Sequence, residues 1–290
     1  MPSLLDLRQR IRSVQNTQQI TKAMKTVSTA KFKKAQRTVI EGRPHWHEAP
    51  SLLARVSSWA GRTAHPLFDE RLEKLVHVVV VTSDKGLCGA FNSNLLARAA
   101  QIVVEKSESA EVRLVLVGKK AANFFRRGPF PVERVLAENV DKLPRSEIGA
   151  LARLLIRRYL FQETDGVYVV YNEFKTVLAP RVTVTRLLPV VPEPSAGGPG
   201  EPEWEPEWEP GRKVILDAFL PRYVEDQLAH ALAESQAAEQ AARMMAMDNA
   251  SKNAGELITD LVLVMNKIRQ AGITKELLEI MTAVEALKEA

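Results

Sequence analysis

The two ends of this chain contain almost no helix-breaking residues. Residues 3–41 include neither glycine nor proline, and residues 222–290 include no proline and only Gly255 and Gly272. Because glycine and proline are the residues least compatible with a helix interior, both ends are predicted to be long helices. At 1.5 Å per residue they would extend about 58 Å and about 100 Å, beyond the diameter of a compact domain of this size. We therefore expect the two ends to pack on each other, with a domain inserted between them.

Both terminal segments carry apolar residues at the spacing of a coiled coil. In the first segment Leu4, Leu7, Ile11 and Val14 follow a 3–4 spacing, which resumes after a polar stretch at residues 15–19. The last segment shows the same pattern, also with a polar interruption. Polar interruptions fix the register of a coiled coil, so a specific pairing of the two helices is expected.

Part of the last segment is apolar around its whole circumference. A helix surrounded by water does not tolerate such a distribution. The apolar residues are Leu257, Ile258, Leu261, Val262, Leu263, Val264, Met265 and Ile268, and residues 257–268 are called the apolar tip below. The apolar tip is therefore expected to be enclosed by another protein.

The positive charge of the chain is concentrated in its first helix. The formal net charge is +5 for the whole chain, whereas residues 1–43 contain ten basic and two acidic residues. A basic helical face is typical of a solvated surface, of a surface that faces an acidic protein, or of nucleic-acid binding. The last of these leaves open an alternative function, in which the chain is a basic coiled-coil protein that binds nucleic acid. Its weakness is the near absence of stacking aromatic residues, since Phe32 is the only one in the first helix.

Between the helices the sequence alternates strand and helix patterns. Continuous apolar runs predict strands buried on both faces, and a 3.6-residue period predicts helices. The predicted strands are residues 75–81, 111–117, 166–171 and 181–190, and the predicted helices are residues 91–105, 119–127 and 146–161. This alternation favours an open sheet with helices packed against it. The predicted fold class is therefore α/β, a Rossmann-like open-sheet domain inserted into a long antiparallel coiled coil of the N- and C-terminal helices.

Glycine and proline mark the expected boundaries of the inserted domain. Gly42, Pro44 and Pro50 predict a turn after the first helix, followed by a further helical piece. The predicted organisation is a coiled-coil helix with its turn at 1–60, the α/β domain at 70–190, a Pro/Glu/Trp-rich loop at 191–211 and a coiled-coil helix at 212–290. The repeated EPEW units of the loop predict an exposed spacer, while Trp204 and Trp208 leave open a contact with a partner.

The loops of the α/β domain do not predict a nucleotide site. Phosphate-binding loops need closely spaced glycines before a helix, so that backbone amides can approach the anion. The loop after the first strand, residues 83–89, contains only Gly86 and Gly89, and neither common phosphate-binding signature is present. Asp84 would also place a negative charge beside a bound phosphate.

The sequence predicts no catalytic centre, metal site or cofactor. The five histidines are scattered, and the pair His45 and His47 lies in a predicted turn without a third ligand. Cys88 is the only cysteine, which excludes an intramolecular disulfide and is more typical of a packed side chain than of a reactive one.

Four segments of the chain resemble the γ-subunit family of F-type ATP synthases. They are IRSVQNTQQITKAM at residues 11–24, TSDKGLCG at 82–89, EQAARMMAM at 239–247 and NKIRQAGIT at 266–274. These segments occur in the order found in that family, and the resemblance extends from one end of the chain to the other.

The resemblance implies the central rotor of the F1 head. The coiled coil would turn inside an α3β3 ring, and the Rossmann-like domain would lie near the membrane ring of c subunits. The implied partners are the α3β3 ring, the ε subunit and the c ring. The rotor would perform no bond chemistry itself, but its asymmetry would drive the three β sites through different conformations.

The resemblance also implies where the rotor would contact the β subunits. The implied contacts are Arg269, Gln270 and Thr274 near the tip, and Arg243, Met24 and Lys25 lower in the coiled coil. The loop with Lys85 and Cys88 would border β, and the apolar tip would turn in a sleeve formed by the ring. The EPEWEPEW insert replaces a stretch that lies near the foot of the rotor in the family, so the resemblance does not imply a contact of Trp204 or Trp208 with ε or the c ring.

The sequence contains no stretch of about 20 apolar residues, so membrane association would depend on a partner. Its N-terminus does not have the composition of a transit or signal peptide. The expected location is the cytoplasmic face of a bacterial plasma membrane, with contact to the bilayer only through the c ring.

Overall fold

The computed structural model describes residues 4–60, 65–136, 143–176, 179–191 and 207–289. The helices are α1 (Leu4–Ala60), α2 (Phe91–Ser107), α3 (Lys119–Phe125), α4 (Arg145–Leu160) and α5 (Arg212–Glu289), with a short 3₁₀ helix at Pro66–Phe68. The strands are β1 (Leu75–Val81), β2 (Glu111–Val117), β3 (Val132–Leu136), β4 (Gly166–Thr176) and β5 (Ala179–Leu188). The chain forms two compact units, the terminal unit of residues 1–28 and 244–290 and the body of residues 29–243.

In the terminal unit α1 and α5 pair in opposite directions. The Gln18 side-chain amide donates to the Ser251 carbonyl at 3.2 Å, and Lys25 Nζ lies 2.7 Å from Asp248 Oδ1. The partner residue number on α5 therefore falls as the residue number on α1 rises. The coiled-coil pairing predicted from the apolar spacing, and the antiparallel direction implied by the family resemblance, are confirmed. Small residues allow close approach, since a Cβ at Gly255 would lie only 2.9 Å from the Gln18 amide nitrogen.

The body contains a sheet with the strand order β3-β2-β1-β4-β5. The first four strands are parallel and β5 is antiparallel to β4. The run of valines in β1 is buried on both faces of this sheet, which is the pattern expected of a central parallel strand. The Rossmann-like layout predicted from the sequence is confirmed.

Each face of the sheet is covered by helices. Alternate residues of β1 belong to different apolar clusters, Val79 and Val81 to one and Val78 and Val80 to the other. The first cluster includes residues of α4 and α5, and the second includes residues of α2 and α3. The period of two in a strand thus places β1 at the centre of a three-layer arrangement.

A third cluster in the body joins α1 and α5 to the loop that follows β1. Val39 of α1 packs with Ala237, Ala238 and Ala241 of α5, and Cys88 belongs to the same cluster. Alanine side chains let the two helices approach closely while burying apolar surface. This cluster fixes the loop at residues 83–89 against the helix pair.

The turn predicted at Gly42, Pro44 and Pro50 is wrong, because α1 continues to Ala60 with both prolines inside it. Tertiary packing outweighs the cost of the two missing backbone hydrogen bonds. Val39 and Leu53, which flank the prolines, are fully buried. The ring of Trp46 occupies the space above Gly42, where a Cβ would lie 2.5 Å from it, and Trp46 also stacks on His230 at 4.5 Å.

Strand β3 was not predicted from the sequence. It is a short strand at one edge of the sheet with a mixed burial pattern, and prolines precede it. Its charged residues, Glu133 and Arg134, interrupt the apolar run that identified the other strands. Glu133 is half-buried and pairs with His77 and Arg158, long-range contacts that no local pattern reveals.

Candidate partner-binding surfaces

The apolar tip is incompletely covered by the described residues. Five of its apolar residues are half-buried, namely Ile258, Leu261, Val262, Met265 and Ile268. Leu257, Leu263 and Val264 are 40%, 63% and 46% exposed, respectively. Two leucines and a valine within one short segment of α5 thus remain in contact with solvent. An exposed apolar surface of this kind is typical of a site that another protein covers.

The residues just beyond the apolar tip present polar groups to solvent. Arg269, Gln270 and Thr274 are all exposed on α5. The Thr274 hydroxyl donates to the Gln270 backbone carbonyl at 3.0 Å, and the Gln270 side chain is exposed. A guanidinium and an amide on adjacent residues can donate several hydrogen bonds to a partner.

Lys25 belongs to a small charge cluster in the terminal unit, next to the half-buried Met24. Asp248 accepts from Lys25 at 2.7 Å and lies 3.1 Å from Lys252. Hydrogen bonds from these two ammonium groups hold the pKa of Asp248 below its ordinary value. Lys25 thus remains close to a carboxylate of its own chain, although almost half of its side chain is exposed.

Arg243 lies in the body and is turned inward. Its side chain is almost completely buried, and Nη1 lies 2.7 Å from Glu239 Oε1. Its other guanidinium nitrogens donate to the backbone carbonyls of Gly86, at 3.3 Å, and Lys85, at 3.4 Å. The linear motif places Arg243 on α5 but gives no indication of this link to a loop more than 150 residues earlier.

The loop at residues 83–89 has one buried and two exposed side chains of interest. Cys88 is 2% exposed, and its Sγ accepts a hydrogen bond from the Asn92 amide at 3.1 Å. Burial raises the pKa of the Cys88 thiol. Lys85 is exposed, and Leu87 is 62% exposed with a left-handed φ of 62°. Leu87 was missed by the sequence reasoning, because a backbone conformation leaves no mark in a residue pattern.

The helix N-terminus that could hold a phosphate is occupied by the protein's own side chains. Asp84 Oδ1 accepts from the first amide of α3, Lys119 N, at 3.0 Å. The Thr82 hydroxyl accepts from Ala121 N at 2.9 Å. A carboxylate therefore accepts from a backbone amide that would otherwise be available to an anion at the N-terminus of α3.

The histidines of the body make specific contacts with neighbouring residues. His77 is buried, with Nδ1 2.9 Å from Thr164 Oγ1 and Nε2 against Glu133. His65 caps the 3₁₀ helix and pairs with Asp217 at 3.1 Å. The predicted pair His45 and His47 lies within α1, and the side chains of both residues are outside the described part. Within the described residues no group of three metal-ligating side chains is found.

Trp208 packs against the apolar cluster beneath α5 and is half-buried. The guanidinium of Arg212 lies 5.4 Å from the centre of its ring, within the range of a cation–π contact. Trp204 lies outside the described residues. None of the described helices is long and apolar enough to cross a bilayer.

Fold and surfaces together define an α/β protein with paired antiparallel terminal helices and exposed groups suited to binding other proteins. The family profile described as ATP synthase matches residues 3–287. The ATP synthase gamma chain of Desulforudis audaxviator is 46% identical over 99% of this chain and its own full length. That of Pelotomaculum thermopropionicum is 43% identical, again over 99% of this chain and its own full length. This chain belongs to the ATP synthase gamma chain family.

Solved structures of rotary ATP synthases share the fold. A chain in the OSCP/F1/c-ring structure of the Euglena gracilis mitochondrial ATP synthase aligns with a TM-score of 0.65 and 21% identity, covering 99% of this chain and 96% of that one. A chain in the central stalk/c-ring structure of the Tetrahymena thermophila enzyme gives a TM-score of 0.58 and 24% identity, covering 80% and 99%. The first of these alignments covers nearly the whole chain and so includes both terminal helices and the sheet.

Proposed function

We propose that this chain is the central rotor shaft of the F1 head of a proton-translocating ATP synthase. It couples rotation of the membrane c ring to conformational cycling of the three catalytic β subunits. The observation that carries the proposal is the match to gamma chains at 43–46% identity over essentially the full length of both proteins. A relationship of that extent includes the paired helices as well as the inserted domain.

The apolar tip suits a bearing. Apolar burial is non-directional, so it depends little on the angle of a rotating shaft. A sleeve formed by the α3β3 ring would cover the exposed part of Leu257, Leu263 and Val264 at every angle. The half-buried tip residues already contact their own chain and give the shaft a defined surface.

Polar groups beyond the tip suit angular stops. A hydrogen bond to a charged group contributes roughly 1.5–3 kcal/mol, which is enough to favour one angle over another. Arg269, Gln270 and Thr274 are exposed where such bonds to β would form. Lys25, beside Met24, is exposed enough to reach an acidic β surface, whereas isolated exposed ion pairs contribute only about 0–1 kcal/mol and would not trap the shaft.

In this role the chain is a non-catalytic subunit of an enzyme complex. Its partners are the α3β3 ring and, through the body, the ε subunit and the c ring. The complex lies on the cytoplasmic face of a bacterial plasma membrane, and this subunit meets the membrane through the c ring. A nucleic-acid-binding role is not favoured, because the exposed apolar tip has no use in binding phosphates.

The double variant Arg269→Ala/Gln270→Ala tests the rotor contacts in the assembled enzyme. Purification through a tagged β subunit should recover the variant with α, β and ε subunits, while ATP-driven proton pumping falls severalfold. Lys275→Ala is the matched control, because Lys275 is exposed on the same helix and, among the residues that the structure describes, forms an ion pair only with Glu279, at 3.5 Å. Normal pumping by the double variant would remove the assignment of these contacts, and failure of the unmodified chain to copurify with α and β would remove the proposed function.

A further inference from the structure

A cavity of about 600 Å³ lies in the body, between α3 and the edge strand β3. Its volume falls within the range of about 300–1,000 Å³ that is usual for sites that bind small molecules. Most of its lining is apolar and includes Leu116 and Phe125, which are only 1% and 5% exposed. The cavity therefore reaches from the surface to the apolar core between the sheet and α3.

A bulge in β3 turns two valines towards this cavity. Val132 lies beside Leu114 and Val135 beside Leu116, so β3 has one residue more than β2 between these pairs. Residues three positions apart in a regular strand point to opposite faces of the sheet, whereas the bulge places both valines on the face that carries α3. They remain 36% and 46% exposed. The edge of the sheet thus presents apolar side chains that the body itself leaves partly uncovered.

One side of the cavity carries groups that donate hydrogen bonds. Lys119, Asn123 and Arg126 are all exposed and follow one another at spacings of four and three residues, which brings them to the same face of α3 and its C-terminus. Neither basic side chain forms an ion pair within the described part of the chain, and none of the described residues that line the cavity is acidic. Asp84, which accepts from Lys119 N, is not among the lining residues. The cavity thus combines an apolar interior with positive charge at its opening.

We propose that this cavity binds a small amphipathic carboxylate, a free fatty acid of medium length. Its hydrocarbon chain would lie against Phe125, Val132 and Val135, and burial of that chain would supply most of the affinity. Its carboxylate would meet Lys119 and Arg126 at the opening, where charge-assisted hydrogen bonds select an anion. A two-chain phospholipid is larger than the cavity. The inference does not depend on the rotor function, so its failure would leave that proposal intact.

Calorimetric titration of the purified chain with dodecanoate, below the concentration at which dodecanoate forms micelles, tests the class of ligand. Saturable binding at one site per chain is expected. Dodecyltrimethylammonium has the same chain and the opposite charge, and butyrate has the same head and a much shorter chain, so both should bind at least about tenfold more weakly. Equal affinities for dodecanoate and the cation, or no saturable binding of dodecanoate, would overturn the proposal.

Val135→Asp identifies the place at which dodecanoate binds. The substitution puts a carboxylate into the apolar lining and should weaken binding at least about tenfold. Val135 is 46% exposed at the edge of the sheet, so the fold should be retained, which circular dichroism verifies. Val104→Asp is the matched control and should leave the affinity unchanged, because Val104 is 53% exposed on α2 and does not line the cavity. Equal affinities of the two variants would show that dodecanoate binds another apolar surface and would overturn the assignment.

Arg126→Glu tests the charge at the opening and alters only an exposed side chain, so it should not affect folding. It should weaken dodecanoate binding about fivefold. Arg127→Glu is the matched control, because Arg127 is also exposed but does not line the cavity, and it should change the affinity less than about twofold at physiological salt. Equal losses in the two variants would indicate general attraction to a basic surface and would overturn the role of the cavity. Binding to phosphatidylglycerol vesicles without binding of dodecanoate would overturn the proposal in favour of a membrane surface.

Discussion

At the scale of single residues, Gly118 is a position where the backbone of the body leaves no room for a side chain. It connects β2 to α3 with a φ of 97°, and a Cβ there would lie 2.2 Å from the Thr82 carbonyl oxygen. The same residue donates its amide to the Leu136 carbonyl at 2.8 Å, so the backbone cannot move away easily. Thr82 in turn holds the start of α3 through its hydroxyl.

Gly118→Ala is expected to destabilise the chain by at least about 2 kcal/mol, because it combines a left-handed φ with a backbone clash. The urea midpoint of the purified chain measures this change. Gly272→Ala is the matched control: nothing lies within 4 Å of a Cβ there, so the substitution should stabilise α5 by roughly 0.5–1 kcal/mol. An unchanged midpoint for Gly118→Ala would show that the turn between β2 and α3 is not as close as described.

Two buried histidines make stability depend on pH. Burial lowers the pKa of His77 even though Glu133 favours its protonation, and burial likewise lowers the pKa of His65 against the effect of Asp217. The unfolded chain therefore binds more protons than the folded chain when the pH falls below about 6.5. Stability from these groups is present above that pH and is lost as the pH decreases.

The free energy of unfolding, obtained from urea titrations, is accordingly expected to fall between pH 7 and pH 5.5, by up to about 1.4 kcal/mol per pH unit for each histidine. His77→Gln should reduce this slope, because a glutamine can still bond Thr164 but does not titrate. A midpoint that rises as the pH falls through the same window would mean that Glu133 outweighs burial and that the folded protein binds the proton.

At the scale of secondary-structure elements, those whose residues are buried on both faces could be predicted from the sequence, because burial requires a continuous apolar run. β1 was predicted to the residue because its apolar run is buried on both faces of the sheet. β3 could not be predicted, because its short edge position carries charged residues whose partners come from β1 and α4. The predicted end of α1 was too early, because Pro44 and Pro50 disfavour a helix locally. The burial of Val39 and Leu53 on either side of them stabilises the helix in spite of that local preference.

Pro44→Ala follows from the uninterrupted course of α1. Pro44 is exposed and lacks the amide that would bond the Ile40 carbonyl, so alanine should stabilise the helix by about 1–3 kcal/mol. Thermal unfolding followed by circular dichroism measures the gain. Pro66→Ala is the control, because Pro66 begins the 3₁₀ helix, where proline is favourable, and its replacement should bring no gain. A lower melting temperature for Pro44→Ala would mean that the helix needs a proline bend there.

At the scale of the whole molecule, the sequence predicted the family and the fold but only part of each surface. Four linear motifs identified the gamma chain family, because these motifs are continuous stretches of sequence and can be recognised without knowing the fold. They placed Arg243 among the contacts to β, whereas its guanidinium is bonded to the loop at residues 83–89. The bond to the loop could not be predicted, because a linear motif locates a residue along a helix but not the direction of its side chain.

The apolar tip supports a final prediction about assembly. Leu261→Ser/Val262→Ser should leave the isolated chain folded, because both residues are only half-buried in it. Full burial of such a side chain contributes about 1.5–3 kcal/mol, and the half that remains exposed would be buried by an enclosing ring, so association with α3β3 should weaken by at least about tenfold for the pair. Titration of labelled chain with α3β3 measures this affinity, with Leu72→Ser as the control because Leu72 is an 81% exposed residue of the body. Equal affinities for the two variants would show that the tip turns without an apolar sleeve.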